Sequence, residues 1–269
     1  KSKNLSFTNI HKHAPASSYY GLEGLRSLGW SNRIDKYLPL IPFLDRVMRS
    51  DILVQSGAPV YWCHPNSDCV QHNEWYGPLI KNRFMKKKNG ILLNLAAGSC
   101  QPYYSDGSEF MESELVCDYI KEFYELSKVT TLRDDLAQSV LANLGLEAPT
   151  IPCSSIFAID ECVVEAEEGE SVVLNYMHGG SHYDWEGTVD ADLWLQKFKK
   201  LYQELKKKEK RVIFSCHNQD ELDQVQNVAP GAETFISADF RDYLQFYSKA
   251  KYALVNRVHA GFLLASLGK

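Results

Sequence analysis

The strongest constraint on this chain is a repeated pattern. A short, continuous apolar run ends in small or polar residues and is followed by an amphipathic stretch of helical period. Apolar runs of this kind stand at 50–55, 90–98 and 129–132, and again at 171–176, 211–215, 235–236 and 252–255. A segment apolar on successive residues suits a strand covered on both faces, and strands separated by helices need crossovers, so their pairing is parallel. Helices are expected at 74–88, 108–128, 135–144, 190–210, 219–228, 239–250 and 258–267. In the second of these Phe110, Leu115, Ile120 and Phe123 recur at roughly helical spacing behind Ser108 as cap, and Gly145 stops the third. A further short strand is expected at 149–157. The segment 160–170, where Glu161, Glu165, Glu167, Glu168 and Glu170 crowd together, reads as a solvated connection between two cores. The pattern predicts an α/β chain of two Rossmann-like parallel-sheet domains, 1–160 and 161–269, with the carboxyl ends of their strands aimed at a central cleft.

Composition narrows the function classes. The chain has 269 residues, is 45% hydrophobic and carries a formal charge of -5. That gives no reason to expect the concentrated basic surface that nucleic acid requires. An anionic small molecule remains admissible, because one or two pocket arginines bind phosphate or carboxylate whatever the net charge. Seven cysteines without repeated spacing make no disulfide framework and favour a reducing compartment. No run approaches the roughly 20 apolar residues of a membrane span. The chain reads as cytoplasmic, with peripheral association at the inner face of a membrane left open.

Position singles out the candidate site residues. Arg133 follows the run 129–132 and Arg257 follows 252–255, so each falls at the carboxyl end of a predicted parallel strand, where ligands of open α/β sheets bind. A guanidinium there suits a phosphate or carboxylate, bidentately. For Arg133 an ion pair with Asp134 or Asp135 that caps the next helix is an equal alternative. His259, two residues beyond Arg257 at a helix start, is the candidate proton carrier. Asn175, near the end of the run 171–176, and His178 and His217, which follow strand ends, are candidate substrate contacts. Cys63, His64, Cys69 and His72 have a spacing that could hold a metal, but the intervening Pro65, Asn66, Ser67 and Asp68 read as a plain loop, and no metal is expected. The lysines Lys206, Lys207, Lys208 and Lys210 read as a solvated helix end.

The segment Val255-Asn256-Arg257-Val258-His259-Ala260, followed by Gly261 and later Gly268-Lys269, resembles the Arg-x-His-Ala segment of polysaccharide pyruvyl transferases. Thr131-Leu132-Arg133-Asp134, with Ser139 and Leu144-Gly145, is similar to that family's Arg-Asp segment. The strand and turn from Asp51 to Gly57, and the stretch from Phe214 through His217 to Asp220, match it in order and spacing. The resemblance implies a two-domain fold like that of GT-B glycosyltransferases. It also implies that the family's closing strand and terminal helices would follow Lys269, so a C-terminal segment is expected to be missing.

The implied reaction is transfer of a pyruvyl group from phosphoenolpyruvate to a sugar acceptor, forming a ketal and needing no cofactor. In that reading Arg133 and Arg257 bind the donor and His259 is the acid. Two alternatives stay open. A GT-B glycosyltransferase would use the same arginines on a nucleotide-sugar diphosphate, and a degenerate relative would only bind glycan.

Overall fold

A computed structural model of the protein describes residues 49–56, 59–61, 80–82, 84–87, 89–101, 104–162, 164–180 and 189–269. The described residues form two compact units. One runs up to Ile151, apart from 101–104, and the other takes 101–104 and everything from Pro152 onward. This division comes ahead of the acidic segment in which the sequence places a boundary. The reason is packing: the 3-10 helix Ser154–Glu161 lies on the second unit, where Ala158 and Ile159, with Cys162 and Val164 beyond it, join a second-unit core.

In the first unit β3 (Ile91–Ser99) is central. β1 (Ile52–Ser56) and β2 (Pro59–Tyr61) pair with its successive halves, and β4 (Ser127–Leu132) also pairs with it, all in parallel. The helices α1 (Glu114–Leu126) and α2 (Asp135–Asn143) pack their apolar faces, Tyr119, Ile120, Phe123, Val140 and Leu141 among them, into one core. The helix expected at 108–128 is shorter than its apolar spacing suggests. A 3-10 turn, Ser108–Glu112, breaks at Ser113, whose extended backbone and hydroxyl cap α1, and β4 begins at Ser127. The strand expected at 149–157 reduces to an isolated parallel bridge between Leu132 and Thr150. Nor is β3 covered on both faces throughout. Ile91 is exposed and Leu93 and Leu95 are half-buried, and only Ala96, Ala97 and Gly98 are buried in succession.

The second unit follows the alternation closely. β5 (Ser171–Leu174), α3 (Ala191–Lys208), β6 (Arg211–Cys216), α4 (Gln219–Val228), β7 (Glu233–Ile236), α5 (Phe240–Ser248), β8 (Ala250–Leu254) and α6 (Val258–Ser266) succeed one another. The sheet is parallel with order β7-β6-β5-β8. Successive strands step outward from β5 to β7, and then α5 carries the chain back so that β8 lies on the other side of β5. That reversal puts helices on both faces: Val172 and Leu174 pack with α3 and α4, while Val173 packs with α5 and α6. β5 is buried along its whole length, which accounts for its unbroken apolar sequence. Between β5 and β8 lies the topological switch point, the place where a crevice opens in sheets of this kind. Among the described residues no helix is long and apolar enough to cross a membrane.

Candidate functional site

Three chain segments leave the second sheet at the switch point, and their first polar residues meet. Asn175 follows β5, His217 follows β6 and Arg257 follows β8. Asn175 is fully buried, and its side-chain oxygen accepts from the backbone N–H groups of Asn256 at 3.2 Å and Arg257 at 3.0 Å. Its amide donates to the Ser215 carbonyl at 3.0 Å and to Glu221 Oε2 at 3.1 Å. One side chain thus ties β5, β6 and the exit of β8 together.

Glu221, on the first turn of α4, is the hub. Its Oε2 accepts from the His217 backbone N–H at 2.9 Å and the ring Nδ1 at 3.1 Å, and its Oε1 accepts from Arg257 Nε at 2.5 Å. Burial alone would raise this carboxyl, whose residue is 3% exposed, yet the His217 hydrogen bonds and the Arg257 charge hold it down to about 2. α4 is capped by Asn218, whose oxygen accepts from the Glu221 backbone N–H at 2.8 Å, so backbone and carboxylate are both fixed.

Both ring nitrogens of His217 are engaged within the protein. Nδ1 meets Glu221, and Nε2 lies 3.2 Å from the Tyr247 hydroxyl, which is 2.7 Å from Ser215 Oγ. The ring also stacks on Tyr243, with centroids 4.9 Å apart. Burial pushes the Tyr247 phenol well above its ordinary range, so that hydroxyl keeps its proton. The contact between Arg257 and Glu221 uses Nε, and the two terminal amino groups of the guanidinium take no part in it. Arg257 is also the N-cap residue of α6, which has no side-chain cap.

His259 lies on the first turn of α6 with its side chain exposed. His178 is exposed beyond the end of β5, where its backbone N–H donates to the Gln224 side chain at 3.0 Å. Of the residues singled out from the sequence, the structure brings Asn175, His217 and Arg257 into one network. His178 and His259 stand at the same carboxyl side of this sheet. Glu221, Tyr247 and Tyr243 were missed. The one local signal for Glu221 is its spacing, four residues after His217 across a helix start, which puts both on one face.

Arg133 belongs to the first unit, at the carboxyl end of β4, where its backbone N–H donates to Ala97 O at 3.0 Å. Its Nε is 3.7 Å from Asp134 Oδ2, so the ion pair weighed from the sequence is present. Asp134 also caps α2 through Ala137 N at 2.8 Å and accepts from Ser99 N at 3.1 Å. A Cβ on Gly98 would fall 2.6 Å from Asp134 Oδ2 and closer still to Arg133 Nε, so glycine is what lets both side chains cross β3. Just upstream a register shift between Asn94 and Ala97 bulges β3, with Ala96 at φ 51 and its N–H held by Thr131 Oγ1 at 2.8 Å. A bulge and a left-handed non-glycine residue beside a strand end are devices that aim side chains at a site.

Among the described residues no group of three or more His, Cys, Asp or Glu side chains could hold a metal, and the segment with Cys63, His64, Cys69 and His72 lies outside them, as does most of the helix expected at 74–88.

Parallel strands in the order β7-β6-β5-β8, with polar side chains gathered where the order reverses, define an α/β protein of Rossmann type. The polysaccharide pyruvyl transferase family profile matches residues 5–262, and the chain belongs to that family of transferases. No curated protein and no solved structure matches the chain.

Proposed function

We propose that the protein transfers the pyruvyl group of phosphoenolpyruvate to two hydroxyls of a sugar unit in a glycan, forming a cyclic ketal and releasing phosphate. The observation that carries this reading is Arg257, held by Glu221 and Asn175 at the switch point of a sheet in a chain of this family. In the reaction a proton is added to the enol CH2, which becomes a methyl group and leaves an oxocarbenium-like carbon. The two sugar hydroxyls add to that carbon, their protons depart, and the phosphate leaves with its bridging oxygen. Arg257 binds an anionic group of the donor and stabilises the leaving phosphate, and the uncapped start of α6 adds positive potential there. His259, exposed on that same turn, is the acid that delivers the proton. Arg133 is a second donor ligand, supported by its place at the end of β4 and by the glycine that makes room for it. Cys117, Cys153, Cys162 and Cys216 are free thiols, which supports a cytoplasmic setting.

The test is phosphate release from phosphoenolpyruvate with and without a candidate glycan, together with the mass of the acceptor. Wild-type protein should release phosphate only with acceptor and add the mass of one pyruvyl ketal. His259→Ala should lower turnover by about a hundredfold to ten-thousandfold in a protein that still folds, and Arg257→Ala should raise the donor KM. A protein that ignores phosphoenolpyruvate but consumes a nucleotide sugar on the same glycans would replace this reading with glycosyl transfer.

A further inference from the structure

We propose that Glu221 is a positioning residue of this site: it holds the Arg257 guanidinium in place for the donor and fixes which nitrogen of His217 carries the proton. The proposal rests on Arg257 as a donor ligand, and on geometry that brings together groups distant in the sequence. Four donors from three strand exits converge on the two oxygens of one carboxylate: Asn175 Nδ2, His217 N, His217 Nδ1 and Arg257 Nε. A buried carboxylate loses several kcal/mol of hydration, and its pairing repays this only when geometry and hydrogen bonding are nearly complete. Here they are, and what the arrangement secures is orientation. Arg257 is anchored twice, by its backbone N–H on Asn175 and by its side-chain Nε on Glu221. Only the outer end of a long, otherwise mobile side chain is then left to be ordered when a carboxylate or phosphate arrives.

The consequence for His217 follows from the same oxygen. A carboxylate accepts, so Nδ1 bears the hydrogen and Nε2 is the nitrogen presented to Tyr247, whose hydroxyl is buried beside Ser215. With its ring stacked on Tyr243 and both nitrogens bonded, His217 acts as a bracket that holds Glu221 in place and does not itself reach for substrate.

Glu221→Gln tests this, because the amide sets a donor among groups that are all donors. The full chain is assayed by phosphate release at varied phosphoenolpyruvate, alone and combined with Arg257→Ala, with circular dichroism to show folding. Glu221→Gln should raise the donor KM by about tenfold to a hundredfold with a smaller fall in kcat. Combined with Arg257→Ala it should lower kcat/KM no further than Arg257→Ala alone, since the group it positions is already gone. Losses that multiply independently would overturn the proposal. Glu221→Asp keeps the charge but retracts the oxygens, and so serves if the glutamine variant does not fold. It should raise the same KM in the same direction, and a wild-type KM in that variant also overturns the proposal. The nitrogen-15 spectrum of His217 in the wild-type protein is independent of any turnover and therefore separates this proposal from the reaction assigned above. Nδ1 should be the nitrogen that carries the hydrogen whether or not phosphoenolpyruvate proves to be the donor, and a ring with a bare Nδ1 would refute the positioning.

Discussion

Acid should weaken the second unit through Glu221, by an amount that follows from the structure. Its carboxyl falls from an ordinary 4.5 to about 2 on folding, against the pull of burial, because His217 and Arg257 hold the charged form. A gap of about 2.5 units corresponds to about 3 kcal/mol of folding stability, with each unit worth about 1.4 kcal/mol. Since the folded value is the lower one, the contribution is fully present above the unfolded value of 4.5 and disappears as the pH falls toward 2. At pH 3.5 about 1 to 2 kcal/mol of it should be gone. Other carboxylates titrate over the same range, so the informative quantity is the difference between wild type and Glu221→Gln, in which they cancel. Urea unfolding at pH 7 should show the variant less stable by about 3 kcal/mol, and the difference should shrink by 1 to 2 kcal/mol at pH 3.5. A difference equal at the two pH values would refute the reasoning, because it would show that folding leaves the affinity of this carboxyl for its proton unchanged.

Gly169→Ala should cost about 1–3 kcal/mol, because its Cβ would run into the Lys249 carbonyl where β5 and β8 begin to pair, and backbone cannot rotate aside; a melting temperature within a degree of wild type would contradict it. Asp134→Ala removes the cap of α2 and the acceptor of Ser99 N–H, so thermal melting should show a loss of about 1–2 kcal/mol. It also frees Arg133 from its ion pair, so a change in donor KM is expected with it, and an unaltered KM would count against Arg133 as a donor ligand.

Much of this architecture is legible one segment at a time. In the second unit the apolar run of β5 and the starts of α4 and α5 lie close to where periodicity puts them, because each depends on neighbours within a few residues. The same local reasoning marks Arg257 and His217 as residues just past strand ends, and Asn175 as a polar residue near the end of an apolar run. It errs at 108–128, where apolar spacing runs unbroken across the Ser113 cap and no helical period can reveal an extended residue between two turns. It also errs at β3, whose apolar run looks covered on both faces although only part of it is buried throughout.

By itself the sequence determined the alternation of parallel strands and helices, the family, and the positions at which polar residues emerge from the sheet, since all of these are encoded in short windows. Only the tertiary structure decided that Glu221, an unremarked acid in a polar helix turn, receives side chains from 46 residues before it and 36 after it. The order β7-β6-β5-β8 brings those strand ends within hydrogen-bond reach, and a carboxylate becomes the centre of a site only when donors distant in sequence are packed around it away from water.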